Sequence, residues 1–436
     1  MKMKHAFTFL AVMMILFLAI VFVPKTLLLK ESSNQTAAKP QRVEMSKETS
    51  SSVSSQKENS KEKTETLEEK AAKIVDSMTL EQKIGQLLIV GFKGVEKNEE
   101  IIDLISNKSV GGVILFDRNM ETPEQVANLN NSFQKLAAKQ PFSIPLLIGV
   151  DQEGGDILRM RDKVSPIPSQ QELGQAENAQ NVFEVAYLNG KELAAMGFNV
   201  NFAPVLDLSN TDSRSFGTDP EKVYHLGEKV VQGFNKANIT ATLKHFPGNG
   251  RSKVDPHLDT SSVKADQTDL ENSDIYPFQK IIENVDNQSF FVMITHIKYP
   301  SYDSEKPASL SSVIMKKLLR EKLDYTGIIV TDDLEMGAVN KYYSYEDMAK
   351  EAINAGADLL LVCHEYSHQV EVYNGLLKAA KKGEIPEERI NEAATRLLTY
   401  KLTHIRDPIV DPQYAKETVG SEEHQKLIEN SLKTRE

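Results

Sequence analysis

From about residue 70 the chain alternates short apolar runs with longer amphipathic stretches. The runs cover residues 87–92, 112–116, 146–150, 200–204, 240–243, 290–294, 327–330 and 358–362. Between them, residues 124–138, 182–196, 222–237, 312–322 and 346–355 repeat apolar side chains at helical spacing. Residues 387–402 do the same, with Ile390, Ala393, Ala394, Leu397 and Leu398 on one face. Thr79-Leu80-Glu81-Gln82 is a capping-box pattern that predicts a helix start. The runs are not joined by hairpin turn signals, so they predict parallel strands linked by helices. Eight such strands are the number that closes a (β/α)8 TIM-type barrel, an α/β fold. An open, doubly wound sheet is the alternative. Neither GxGxxG after the first strand nor GxxxxGK[ST] occurs, which speaks against its nucleotide-binding form.

The N-terminus follows another pattern. Lys2 and Lys4 precede an almost unbroken apolar run over residues 6–23. Its length, about 18 residues, sits at the lower edge of a membrane span. Val21, Phe22 and Val23 are bulky and Pro24 and Lys25 follow, so no small-residue cleavage site stands out. Residues 1–30 therefore predict an uncleaved signal anchor, with a cleaved signal peptide as the alternative. Residues 31–69 are mostly Ser, Thr, Lys, Glu and Gln and cannot bury enough surface to offset their ordering entropy. They predict a disordered linker between that membrane anchor and a globular domain over 70–407, followed by a tail over 408–436. Lysines on the short N-terminal side place the rest outside the membrane, either tethered to a bacterial cell or secreted.

Composition narrows the function classes. A net charge of −11 argues against a nucleic-acid partner. The one cysteine, Cys363, follows an apolar run, which predicts an inert core thiol and excludes an intrachain disulfide.

In a barrel, chemistry gathers where strands end and loops begin. Asp151-Gln152-Glu153-Gly154-Gly155, with Arg159 and Arg161 beyond, follows the third run. Asp207 and Arg214-Ser215-Phe216-Gly217 follow the fourth. Lys244 and His245 follow the fifth, His296 the sixth, and Thr331, Asp332 and Asp333 the seventh. Any one of these alone reads better as a helix cap or a solvated loop; their recurrence at the same ends is harder to dismiss. The loop after Lys244-His245 is rich in Gly and Pro and then carries Asp255-Pro256-His257. In an extended segment Asp255 and His257 point the same way. A carboxylate beside an imidazole fixes its tautomer and raises its basicity, which suits a proton shuttle near neutral pH. Two unrelated titratable groups in a polar loop is the plainer reading.

These stretches, with Asn201-Phe202-Ala203-Pro204-Val205-Leu206-Asp207 and Gly327-Ile328-Ile329-Val330-Thr331-Asp332-Asp333-Leu334-Glu335-Met336-Gly337, resemble glycoside hydrolase family 3, in its β-N-acetylhexosaminidase branch. The likeness runs from about residue 70 to 402. It implies that Asp332 is the nucleophile of a retaining glycosidase and that His257, oriented by Asp255, is the general acid and base. It also implies that Asp151, Arg159, Arg214, Lys244 and His245 hold the sugar. Gly248 and Gly250 suggest a mobile loop that brings His257 in when sugar binds. Three positions depart from the branch: Asn249 where His is usual, Asp156 where Arg is common, and Pro256 where Ser is usual. Glucosidases of the family take their acid from a second domain. Residues 419–424 resemble the run-in to that domain and the chain then stops, so the proton donor is expected within the barrel.

The resemblance thus implies a β-N-acetylglucosaminidase acting on N-acetylglucosamine-containing glycans such as peptidoglycan fragments or chito-oligosaccharides, with no cofactor and no metal. A phosphorylase is the first rival, because a phosphate anion approaches His more readily than a carboxylate. A non-catalytic surface sugar-binding protein is the second. A metal hydrolase built from His245, His257 and Asp332 is the third, though their spacing matches no compact ligand motif.

Overall fold

The computed structural model describes residues 65–176, 178–252 and 261–431. The anchor expected over 1–30, most of the linker expected over 31–69, and Asp255 and His257 lie outside them. No helix among the described residues is long and apolar enough to cross a membrane.

Eight parallel strands close into a barrel. They are β1 (Leu88–Val90), β2 (Gly112–Leu115), β3 (Leu147–Val150), β4 (Val200–Asn201), β5 (Thr240–Phe246), β6 (Phe290–Ile294), β9 (Ile329–Asp333) and β10 (Leu359–Val362). Around the barrel they run β1-β10-β9-β6-β5-β4-β3-β2. A short antiparallel hairpin, β7 (Lys298–Tyr299) with β8 (Asp303–Pro307), follows β6. Every one of the eight apolar runs supplies a barrel strand. Strands covered by helices outside and side chains inside are buried on both faces, so they read as continuous hydrophobic runs. Each fully buried Val, Leu or Ile contributes roughly 1.5–3 kcal/mol relative to exposure. Gly149 makes room in the interior: a Cβ there would sit 2.7 Å from the Phe202 ring.

Two strands run further than their apolar residues suggest. β5 continues through Lys244 and His245 to Phe246, and β9 continues through Asp332 to Asp333. The charged residues expected just past these strands therefore stand on them. Pairing of β5 with β6 slips register between Leu243 and Phe246. Irregularities of this kind re-aim side chains, and here the consecutive residues Lys244 and His245 both line the same cleft.

Thr79 caps the helix Leu80–Gln86 as its sequence predicts, with Gln82 N–H donating to the Thr79 hydroxyl at 3.3 Å and Thr79 N–H to Gln82 Oε1 at 2.9 Å. A second box, Thr66 with Glu69, starts the helix Leu67–Ser77 inside the stretch expected to be linker. Its cap and the packing of Ala71 and Val75 into the core explain the difference. At the N-terminal end of β10 the buried Asp358 gathers three arginines: Arg320 at 2.6 Å, Arg389 at 2.8 Å and Arg396 at 2.6 Å. Burial works to raise its pKa, and Arg320, Arg396 and Arg389 outweigh it, leaving a carboxylate held below its ordinary range. The cluster ties the π-helical segment Val313–Lys322 and the helix Glu387–His404 to the sheet.

The tail forms two helices, Pro412–Thr418 and Glu422–Ser431. They are joined to the barrel through Glu192, a buried carboxylate on the helix Ala179–Ala195. Glu192 accepts from Gly420 N–H at 2.9 Å and pairs with His424 Nδ1 at 2.8 Å. It also accepts from the Ser165 hydroxyl at 2.6 Å and Ser165 N–H at 3.1 Å.

Candidate active site

The C-terminal ends of the strands surround a cleft of about 720 Å³, within the roughly 300–1,000 Å³ range of small-ligand sites. Asp151, Arg159, Arg214, Lys244, His245 and Asp332 all line it. Six sequence-predicted residues from four separate motifs thus meet in one place, while Asp255 and His257 are outside the described residues.

The turn after β3 sets the first wall. Gly154 at φ +96° and Gly155 at φ +55° adopt backbone that side chains rarely tolerate. Gly154 N–H closes on Ile157 O at 3.1 Å, so the chain doubles back and returns Arg159 to the cleft. Gln152 stiffens the turn: its side-chain oxygen accepts from Arg159 N–H at 2.7 Å, and its backbone is held by Asn201 and Asn189. The Arg159 guanidinium reaches Asp117 at 3.2 Å and, more distantly, Asp151 at 3.9 Å. Its Nε is buried and has no partner among the described residues.

Glu153 stands in the same motif as Asp151 but outside the sugar-binding set that the motifs imply. Its buried carboxylate accepts from Lys244 Nζ at 2.6 Å and from Arg214 Nε and Nη2 at 2.7 and 2.9 Å. Burial works to raise its pKa, but Lys244 and Arg214 outweigh it and hold the group down to about 2. Lys244 also donates to Asp151 Oδ1 at 2.8 Å. Burial pulls the Lys244 ammonium down, and Asp151 and Glu153 more than restore it, so it stays charged with a raised pKa. Glu153 thus fixes the Arg214 guanidinium through Nε and Nη2, and Arg214 lines the cleft. A motif shows that Glu153 is acidic; its pairing with residues 61 and 91 positions away is a tertiary fact.

Asp207 organises the next wall. Its carboxylate takes His245 Nδ1 at 2.7 Å, His245 N–H at 3.2 Å and Asn249 N–H at 2.6 Å. An acceptor-only partner places the proton on Nδ1 and leaves Nε2 as the second ring nitrogen.

Asp332 stands at the end of β9. Asp333 N–H donates to its Oδ1 at 2.9 Å, and among the described residues its side chain has no other hydrogen bond. Burial works to raise its pKa; His245, then His296, the Asp333 N–H and Lys244 outweigh it, so the net shift is downward. The result is an ionised carboxylate in a cleft with cationic donors across from it. Such a group can attack an electrophilic carbon or balance a cation developing there. His296 braces the strand end, donating through Nε2 to Asp333 O at 2.9 Å and accepting the Ser309 hydroxyl on Nδ1 at 2.6 Å. Burial pushes its pKa down, with Asp332 and the Asp333 backbone contact opposing. Among the described residues no group of three or more His, Cys, Asp or Glu is placed to hold a metal ion. Cys363 is buried in the core cluster, and burial raises its pKa well above the usual thiol range.

Residues 79–400 match the Glycosyl hydrolase family 3 N terminal domain. A protein named Beta-hexosaminidase from Haemophilus influenzae is 35% identical over 297 residues, covering 66% of this chain and 82% of its own length. Beta-hexosaminidase A from Pseudoalteromonas piscicida is 30% identical over 393 residues, and the match spans 80% of this chain but 65% of that protein. Among solved structures, a glycoside hydrolase family 3 β-N-acetylglucosaminidase from Paenibacillus sp. str. FPU-7 superposes with a TM-score of 0.75 at 37% identity, over 81% of this chain and 68% of that one. With its barrel, its cleft and these relatives taken together, the chain belongs to glycoside hydrolase family 3.

Proposed function

We propose that this protein is a retaining β-N-acetylglucosaminidase that removes terminal, non-reducing β-linked N-acetylhexosamine from peptidoglycan fragments or chito-oligosaccharides. The observation that carries the reading is Asp332: an ionised carboxylate with one hydrogen bond among the described residues, in the same cleft as Asp151, Arg159, Arg214, Lys244 and His245. The names of the relatives supply the sugar.

In the first step Asp332 attacks the anomeric carbon and the glycosidic oxygen leaves with a proton from His257. In the second, His257 takes a proton from water, water attacks the same carbon, and the bond to Asp332 breaks. Two inversions give net retention. Asp255 holds the His257 tautomer. Asp151, Arg159, Arg214, Lys244 and His245 engage the hydroxyls, with Glu153 fixing Lys244 and Arg214, so that substrate meets the nucleophile in a reactive orientation. The reaction needs no metal or organic cofactor. Residues 1–30 and the linker would tether the barrel outside the bacterial membrane, where such glycans occur.

The test is turnover of an aryl β-N-acetylglucosaminide beside an aryl β-glucoside in phosphate-free buffer. Selective release from the acetylated sugar is expected. Release only when phosphate is added would replace hydrolysis by phosphorolysis, and sugar binding without release would leave a binding protein.

A further inference from the structure

Several polar groups on the cleft wall, among them Asp212, Asn249 and His364, are not used by this scheme. His364 follows β10 and lines the cleft beside Asp333. Its backbone is locked by Glu335, whose carboxylate accepts His364 N–H at 2.5 Å and Glu365 N–H at 3.0 Å. Its ring is fixed on two sides. Nε2 meets Asp333 Oδ2 at 3.1 Å, and the ring lies 5.4 Å from that of Phe116, tilted by 32°. The side chain is still 45% exposed.

The strand order says which wall this is. In the ring β1-β10-β9-β6-β5-β4-β3-β2, β10 lies across from β4, and β2 lies across from β6. Lys244 and His245 on β5 face β1, the strand between β10 and β2. His364 and Phe116 therefore form the wall facing the one built by Asp207, Arg214, Lys244 and His245. A pyranose carries oxygen substituents around its whole circumference, so a ring held by the charged wall presents further oxygens to this second one.

On that second wall the other charged groups are committed. Arg118 donates to Phe92 O and Cys363 O at 2.9 and 2.7 Å. Glu335 holds two backbone N–H groups and His368 Nδ1 at 2.6 Å. Asp333 Oδ1 takes Glu335 N–H and Cys363 N–H, both at 3.2 Å. Nδ1 of His364 has no hydrogen-bond partner among the described residues.

We propose that His364 is a further substrate-binding residue, its Nδ1 engaging a hydroxyl or acetamido oxygen of the bound glycoside on the wall opposite Asp207 and Arg214. Asp333 orients the ring for this, because its carboxylate takes the Nε2 proton and leaves Nδ1 for the ligand. The same hydrogen bond raises the imidazole pKa, with burial opposing it, so Nδ1 accepts when neutral and donates on the acid side. The inference rests on the glycosidase reading for the identity of the ligand.

The test compares the full-length protein with His364→Ala and His364→Gln. The readouts are kcat and KM on an aryl β-N-acetylglucosaminide, Kd for free N-acetylglucosamine by calorimetry, and the thermal midpoint as a folding check. Loss of a ground-state contact raises KM and Kd together and leaves kcat nearly unchanged. We expect about a tenfold rise in both for His364→Ala, the equivalent of about 1.4 kcal/mol, with partial recovery in His364→Gln. KM and Kd within twofold of the parent would overturn the proposal. So would a fall in kcat alone, which would mean that His364 acts through Asp333 on Asp332. The parent's own turnover decides the glycosidase reading separately; a parent that binds but does not turn over still tests His364 through Kd, and one that does neither overturns both.

Discussion

At the scale of single residues, the site is an arrangement of mutually dependent charges. Glu153 holds Lys244 and Arg214, Lys244 holds Asp151, and Asp207 holds His245. Glu153→Gln would leave two buried cations under-compensated. Its carboxyl sits at about 2 in the fold against an ordinary 4.5, so its stabilisation is complete above pH 4.5 and is lost as pH falls through 2. The variant is expected to be less stable than the parent by about 3 kcal/mol at pH 7, a gap that chemical denaturation should find closing between pH 4.5 and 2. A constant gap across that window would mean the charge is not what matters. The proton shuttle makes a different kind of prediction. His257→Ala should slow a disaccharide at least about 100-fold, yet slow an activated aryl glycoside far less, because a good leaving group needs no proton. Equal losses on both would remove the acid role.

At the scale of elements, legibility followed burial. All eight strands announced themselves because each carries an apolar run buried on both faces. Their ends did not: Lys244, His245, Asp332 and Asp333 broke the apolar runs although β5 and β9 continue through them. The hairpin β7–β8 was invisible because Asp303–Pro307 is largely polar and exposed. The motif residues Asp151, Arg159, Arg214, Lys244, His245 and Asp332 converge on one cleft, while Asp255 and His257 lie outside the described residues. The ones that motifs could not assign, Glu153 and His364, take their meaning from partners distant in sequence. Asp358 is a third such case, an acid in an apolar run whose three arginines come from two helices. Asp358→Asn should destabilise the fold by about 3–5 kcal/mol by leaving those cations buried without a counter-charge, read as a lower denaturant midpoint; a change under about 0.5 kcal/mol would show the cluster to be dispensable.

At the scale of the whole molecule, the barrel and the tail helices form one unit over Lys63–Glu436. The tail is bound into it through Glu192, which also grips Ser165 in the loop that carries Asp151 and Arg159. If residues 1–30 anchor the chain, cell fractionation should find activity with the membranes for the full chain and in the soluble fraction once those residues are removed. Activity that stays soluble with them present would contradict the anchor.

The account turns on Asp332 as the group that bonds to sugar. The most direct measurement is peptide mass spectrometry after reaction with a 5-fluoro β-N-acetylglucosaminyl fluoride, whose slow second step lets a glycosyl-enzyme accumulate. One glycosyl adduct on Asp332, absent in Asp332→Ala, is the predicted result. An adduct on another residue, or an Asp332→Ala variant that keeps near-parental turnover, would contradict it.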